Sequence, residues 1–155
     1  MRIAIYQCEP RPAQVDRNLE RLARIAKHAS TEGVDLLVCP EMYLTGYNIG
    51  IDAVRQLAEP SDGASAHAVA EMTRENSVAI TYGYPERGGE DAIFNSAQLF
   101  DAEGNPARQL PYDPSFRCRR WREGLSLMQF VTACSFLRSP AHRTTVRDGP
   151  RAGIL

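Results

Sequence analysis

The chain has 155 residues, 43% of them hydrophobic and 24% charged, with a formal net charge of −1, which fits one ordinary globular domain with a single core. No apolar run approaches the length of a membrane span, and Met1-Arg2-Ile3-Ala4-Ile5-Tyr6-Gln7 turns polar too quickly for a signal peptide. The four cysteines (Cys8, Cys39, Cys118, Cys134) form no Cys-x-x-Cys pair and His28, His67 and His142 are dispersed, which argues against a zinc site or disulfide framework and makes a cytoplasmic protein with reduced thiols the expectation.

Ile3 to Gln7 predicts a strand, broken by Pro10 and Pro12. From about Asp16, Leu19, Leu22, Ile25 and Ala29 recur at steps of three and four, with Arg17, Glu20, Arg21, Arg24 and Lys27 between them. That spacing predicts an amphipathic helix, and Gly33 is placed to stop it. Leu36-Leu37-Val38-Cys39 is short and wholly apolar, the pattern of a buried strand, and Pro40 ends it because it has no N–H to give a ladder. Strand, helix and strand with short connections form a βαβ unit, so the two strands are expected to be parallel.

A brief helical piece is expected around Ala53–Ala58, followed by a turn at Pro60-Ser61-Asp62-Gly63. Ala66, Val69 and Ala70 predict a second helix ending near Asn76. Val78 to Tyr84 reads as the next strand, closed by Pro85, and Ile93 to Phe100 as another. Asp101-Ala102-Glu103-Gly104-Asn105 is a hairpin turn signal with Gly104 able to take positive φ, and a returning strand is expected near Ala107.

Past about Pro111 this order fails. Eight arginines there face only Asp113, Glu123 and Asp148, a balance of +5 that leaves −6 on the first 110 residues. Leu125 to Val131 fits a strand or a short helix equally well.

Glu41 follows Pro40 directly, which puts a carboxylate at the C-terminal lip of a strand, where open α/β sheets place their ligands. On its own such an acid is more often a solvated loop residue than a functional one. Its company is more telling. An Ile-Ala-Ile-Tyr-Gln strand precedes an Asn18-Leu19 helix start, and Leu36 to Tyr47 reads Leu-Leu-Val-Cys-Pro-Glu-Met-Tyr-Leu-Thr-Gly-Tyr. Gly83-Tyr84-Pro85-Glu86, Phe94-Asn95-Ser96-Ala97 and Asp101-Ala102-Glu103-Gly104 then follow in order. Together these five pieces, over roughly residues 1–110, resemble the carbon–nitrogen hydrolase (nitrilase) superfamily.

The resemblance implies an α/β fold, the N-terminal half of an α-β-β-α sandwich, with residues 111–155 as an irregular arginine-rich C-terminal segment outside the family domain. It also implies hydrolysis of non-peptide C–N bonds in a small-molecule amide or nitrile, with no metal or organic cofactor, and a homodimer as a common assembly. The family uses a Glu–Lys–Cys triad. A carboxylate takes the thiol proton, a lysine stabilises the oxyanion, and a covalent thioester forms that water then cleaves. By this carry-over Glu41 is the general base, and Tyr47 is a substrate-binding residue near the pocket wall.

The other two triad members do not carry over. The lysine belongs to a Tyr-Arg-Lys-Thr-His-Leu-like segment, where this chain has Leu110-Pro111-Tyr112-Asp113-Pro114, and its single lysine, Lys27, is expected to face outward on the first helix. Neither Cys118, in an arginine cluster, nor Cys134, in Thr-Ala-Cys-Ser, matches the Ile-Cys-Tyr-Asp-like context of the nucleophile. Read one base later, Asp113-Pro114-Ser115-Phe116-Arg117 can encode Thr-His-Leu-Phe-Gly, so a frameshift near residues 107–113 would account for the break. The chain as written is therefore expected to be a partial, inactive hydrolase. Two alternatives are a non-catalytic α/β fragment and nucleic-acid contact through Arg117–Arg122, where Phe116 and Trp121 interleave with the basic side chains but no recognised binding module surrounds them.

Overall fold

A computed structural model describes residues 1–89 and 92–106 and the backbone of Arg143–Arg147. The elements run β1 (Ile3–Gln7), α1 (Val15–Thr31), β2 (Leu36–Val38), α2 (Ile51–Leu57), α3 (Ala64–Asn76), β3 (Ala79–Arg87), β4 (Ile93–Phe100) and β5 (Arg143–Arg147). They build one sheet in the order β4-β3-β2-β1-β5, parallel throughout except for the antiparallel β3–β4 pair. The expected parallel βαβ unit is present, with Ile3 opposite Leu36 and Ile5 opposite Val38.

Side chains alternate across this sheet, so each strand offers one set to each face. Ala4 and Tyr6, Leu37, Ile80 and Tyr82, and Phe100 form the core with Leu22, Ala26 and Ala29 of α1 and Ala66, Val69 and Ala70 of α3. The opposite face carries Ile3, Ile5, Leu36, Val38, Ala79, Thr81, Ala97 and Leu99, of which Leu36 and Val38 are buried and Leu99 is 38% exposed.

Helix α1 differs from its expected stripe in one informative way. Its buried seam is Asn18, Leu22, Ala26 and Ala29, while Leu19 and Ile25 pack beside it half-buried. The seam includes a polar residue, which a purely apolar periodicity passes over. Gly33 ends the turn as expected, with φ +67° and its N–H donating to Ser30 O at 3.0 Å.

The strand expected to close at Pro85 instead runs to Arg87, with Pro85 opposite Asn95 of β4. In an extended strand a residue's N and O point to the same edge. Pro85 O accepts from Glu59 N at 3.2 Å, so the missing N–H also faces the Glu59 segment, beyond the end of β2, and β4 loses no bond. Proline inside a strand is tolerated where its N faces no ladder.

The Asp101–Asn105 turn forms as expected, with Gly104 at φ +78° and Asp101 N donating to Asn105 O at 2.9 Å. Within the arginine-rich segment, Arg143–Arg147 forms β5 along β1. The returning strand near Ala107, the Arg117–Arg122 cluster, the Leu125–Val131 stretch, Cys118, Cys134 and His142 lie outside the described residues. Among the described residues no helix is long and apolar enough to cross a membrane.

Candidate active site

The last rung joining β2 to β3 is Cys39 N to Thr81 O, at 2.9 Å, and the chain then turns sharply over the sheet. Met42, directly after Glu41, is fully buried with φ +51°. A bulky residue in the left-handed region is strained, and such strain persists only where the surroundings over-determine it. Several contacts supply that constraint. Gly46 N donates to Met42 O at 2.7 Å, Leu44 N to Gly83 O at 3.2 Å, and Ala13 N to Thr45 O at 2.8 Å.

Gly83 is the floor of this turn. A Cβ built on it would stand 2.9 Å from Glu41 Cα and would collide with Met42 N. The Glu41 backbone therefore rests on β3 at a distance only glycine allows. From the other side the turn is held by Asn18, which is fully buried in the α1 seam. Its Nδ2 donates to Arg11 O and Leu44 O, both at 2.9 Å, and its Oδ1 accepts from Arg11 N at 2.9 Å. Tyr43 OH donates to Asn18 O at 2.8 Å, and its ring lies 5.9 Å from that of Tyr6. Buried polar groups that are fully partnered in this way specify a single loop path.

Glu41 is half-buried at the C-terminal tip of β2, and Asn95 of β4 donates from Nδ2 to its Oε1. Tyr47 follows the turn, just past Gly46, and is 45% exposed. The carboxylates near the end of β3 have structural partners. Glu59 accepts from Ser65 N and Ser65 Oγ, both at 2.8 Å, at the start of α3, and Glu86 accepts from Ser96 Oγ at 2.6 Å.

The remaining sequence candidates do not join this centre. Lys27 is exposed on α1. Cys39 belongs to the helix-side core, where burial, and secondarily the nearby Cys8, pushes its thiol well above the usual range. Such a thiol stays protonated and unreactive. Among the described residues no group of three His, Cys, Asp or Glu side chains could hold a metal ion. Two surface grooves, one between the start of α1 and the end of α2 and one between α3 and β4, include neither Glu41 nor Asn95.

The sequence singles out Glu41 as a candidate but not the three residues that hold its turn and carboxylate. Gly83 and Asn95 were visible only as parts of motifs, and Asn18 as a helix start. The available signal for Asn18 was a polar residue four positions before Leu22 on the buried stripe of an amphipathic helix.

Glu41 is thus a half-buried carboxylate at the tip of a parallel strand, with a mixed sheet packed on α1 and α3 beneath it. The carbon–nitrogen hydrolase profile matches residues 2–113, and the chain belongs to that family. It is 52% identical over 104 residues to "Hydrolase in pqqF 5'region" of Pseudomonas protegens, which covers 67% of this chain and 36% of that protein. It is 34% identical over 105 residues to an (R)-stereoselective amidase of Pseudomonas sp., covering 67% of this chain and 37% of the amidase. Among solved structures, an amidase from Nesterenkonia sp. shares the fold with a TM-score of 0.55 at 24% identity, over 67% of this chain and 39% of that one. An N-terminal amidase does so with a TM-score of 0.57 at 23% identity, over 66% and 25%. The chain thus spans well under half the length of these relatives.

Proposed function

We propose that residues 1–106 form the general-base side of a carbon–nitrogen hydrolase centre whose substrate is a linear amide or nitrile. The observation that carries this reading is Glu41, set on the Gly83 floor at the tip of β2 and held through Oε1 by Asn95. The amidase and nitrilase names of the relatives support the substrate class. Tyr47, exposed just beyond the turn, is the residue of this segment that would meet the substrate.

In the reaction, Glu41 takes the proton of a cysteine thiol as sulfur attacks the substrate carbon. For an amide, the proton passes to the leaving nitrogen as the C–N bond breaks, leaving a thioester. Glu41 then takes a proton from water, whose oxygen attacks the thioester, and the proton returns to the departing sulfur. An ammonium group stabilises the oxyanion in both halves.

The described residues supply one member of that triad. Cys8 and Cys39 belong to the other side of the sheet, and Lys27 is on the outer surface of α1. On this reading the chain as written is a partial and inactive hydrolase, because neither Cys118 nor Cys134 stands in a nucleophile-like sequence context and the family match ends at residue 113. The test is turnover of a panel of simple amides and nitriles by the purified chain, beside Glu41→Gln. No turnover is expected. Turnover that disappears in Glu41→Gln would overturn the inactivity and keep the base, and turnover that survives it would overturn the base. Translating the downstream DNA in the other frames tests the frameshift, which requires an Ile-Cys-Tyr-Asp-like strand to appear there.

A further inference from the structure

We propose that Asn95 is the positioning residue of the Glu41 carboxylate, an inference that rests on reading Glu41 as the general base. Strand β4 sorts its side chains by face. Ser96 and Gln98 point to the helix side and have partners there, Ser96 Oγ donating to Glu86 Oε2 at 2.6 Å and Gln98 Oε1 accepting from Tyr82 OH at 2.8 Å. The alternate set is Ile93, Asn95, Ala97 and Leu99, and Asn95 is its one polar member.

The register places that polar side chain where the carboxylate arrives. Ala97 stands opposite Gly83 and Asn95 opposite Pro85. Gly83 and Ala97 leave space above the sheet, and the Glu41–Met42 backbone occupies it over Gly83. Asn95 stands one residue pair further along and donates to Glu41 Oε1. The contact joins residues 54 positions apart and bridges the tip of β2 to an antiparallel strand two places away in the sheet.

A neutral amide suits this task. It gives a hydrogen bond to the carboxylate without adding a charge that would compete with the proton to be moved. With Oε1 held, rotation about the terminal torsion of Glu41 is restricted, and Oε2 is the oxygen left to take the proton. A base fixed within a fraction of an ångström by a partner outside the reacting atoms is worth on the order of 10- to 100-fold in rate.

The test uses the full chain labelled with ¹⁵N. The Asn95 side-chain amide resonances are followed from about pH 7 to about pH 3, in the wild type and in Glu41→Gln. A pH response that vanishes in Glu41→Gln is expected. No response, or one that persists unchanged in Glu41→Gln, would overturn the proposal. Asn95→Ala, checked for folding by circular dichroism, adds a second reading whenever the wild-type chain turns over an amide. There kcat should fall roughly 10- to 100-fold with KM nearly constant, whereas unchanged kinetics or an effect on KM alone would count against a positioning role. Absence of wild-type turnover bears only on the activity, since the resonance coupling is read without it.

Discussion

Replacing Asn18 by leucine tests the scaffold beneath Glu41. Leucine has a similar volume, so the change leaves little cavity and isolates the hydrogen bonds. Three are lost at once, each 2.9 Å long in the native protein. Arg11 is exposed, and its N–H and C=O can recover part of the loss from water. The bond to Leu44 O is buried and has no such substitute. At about 0.5–1.5 kcal/mol for each of the first two and about 1–3 for the buried carbonyl, less about 1.5–3 that the leucine gains by burial, the expected net loss is about 0.5–3 kcal/mol. Urea unfolding followed by far-ultraviolet circular dichroism measures it, with an unchanged m-value as the check on two-state behaviour. Hydrogen exchange should accelerate first at Ala13 N, Leu44 N and Gly46 N, the amides that tie this loop to its neighbours. Asn18→Asp sharpens the test. It keeps the acceptor for Arg11 N but turns a carboxylate toward two carbonyls, so it should cost more than leucine at neutral pH. The introduced carboxyl would have a folded-state pKa above its unfolded value, so its destabilisation should lessen as pH falls through that folded value. A leucine variant within about 0.5 kcal/mol of wild type, below the contribution of a single ordinary hydrogen bond, would refute the clamp.

Gly83→Ala should lower stability by about 1–3 kcal/mol, the usual penalty for forcing a methyl group into filled space, because its Cβ would press on Glu41 Cα at 2.9 Å; an unchanged urea midpoint would mean that the Glu41 turn yields freely. The Asp101 carboxyl is held below the usual range first by the backbone N–H of Asn105, with its side chain and the Glu103 and Gly104 N–H groups also contributing. A depressed folded-state value means a contribution that is full above the unfolded value of about 4 and lost as pH falls through the folded one. The difference in unfolding midpoint between wild type and Asp101→Ala should therefore shrink on acidification, and a widening difference would contradict the turn's reading. In thiol labelling with a disulfide reagent and peptide mapping, Cys39 should stay unmodified in the folded chain and react only in denaturant, because burial holds its thiol protonated; rapid native labelling would reopen it as a nucleophile.

Most of the sheet was legible because its signals are local. Ile3–Gln7, Leu36–Val38 and Ile93–Phe100 are short apolar or alternating runs bounded by turn residues, and α1 and α3 carry helical spacing. Pro85 was misread as a strand end because a proline's effect depends on which edge its nitrogen faces, and that depends on β2 stopping short while β3 continues toward Glu59. Asn18 was passed over because apolar periodicity counts it as a gap, although it is as buried as Leu22. Glu41 could be placed from Pro40 and the preceding strand, but its partner could not. No local pattern links Asn95 to a residue 54 positions earlier, and the pairing follows only from the β3–β4 register, which sets Asn95 opposite Pro85.

The supports of Glu41 also bear on how the family's centre is divided along a chain. Its floor comes from β3, its orienting amide from β4, and its clamp from α1 and the Arg11 segment, all before residue 101. None of these contacts draws on the lysine or the nucleophile. The Glu41 turn is therefore held by contacts within residues 1–100, and the strain at Met42 is held there as well. Its geometry can therefore be measured separately from any activity of the chain.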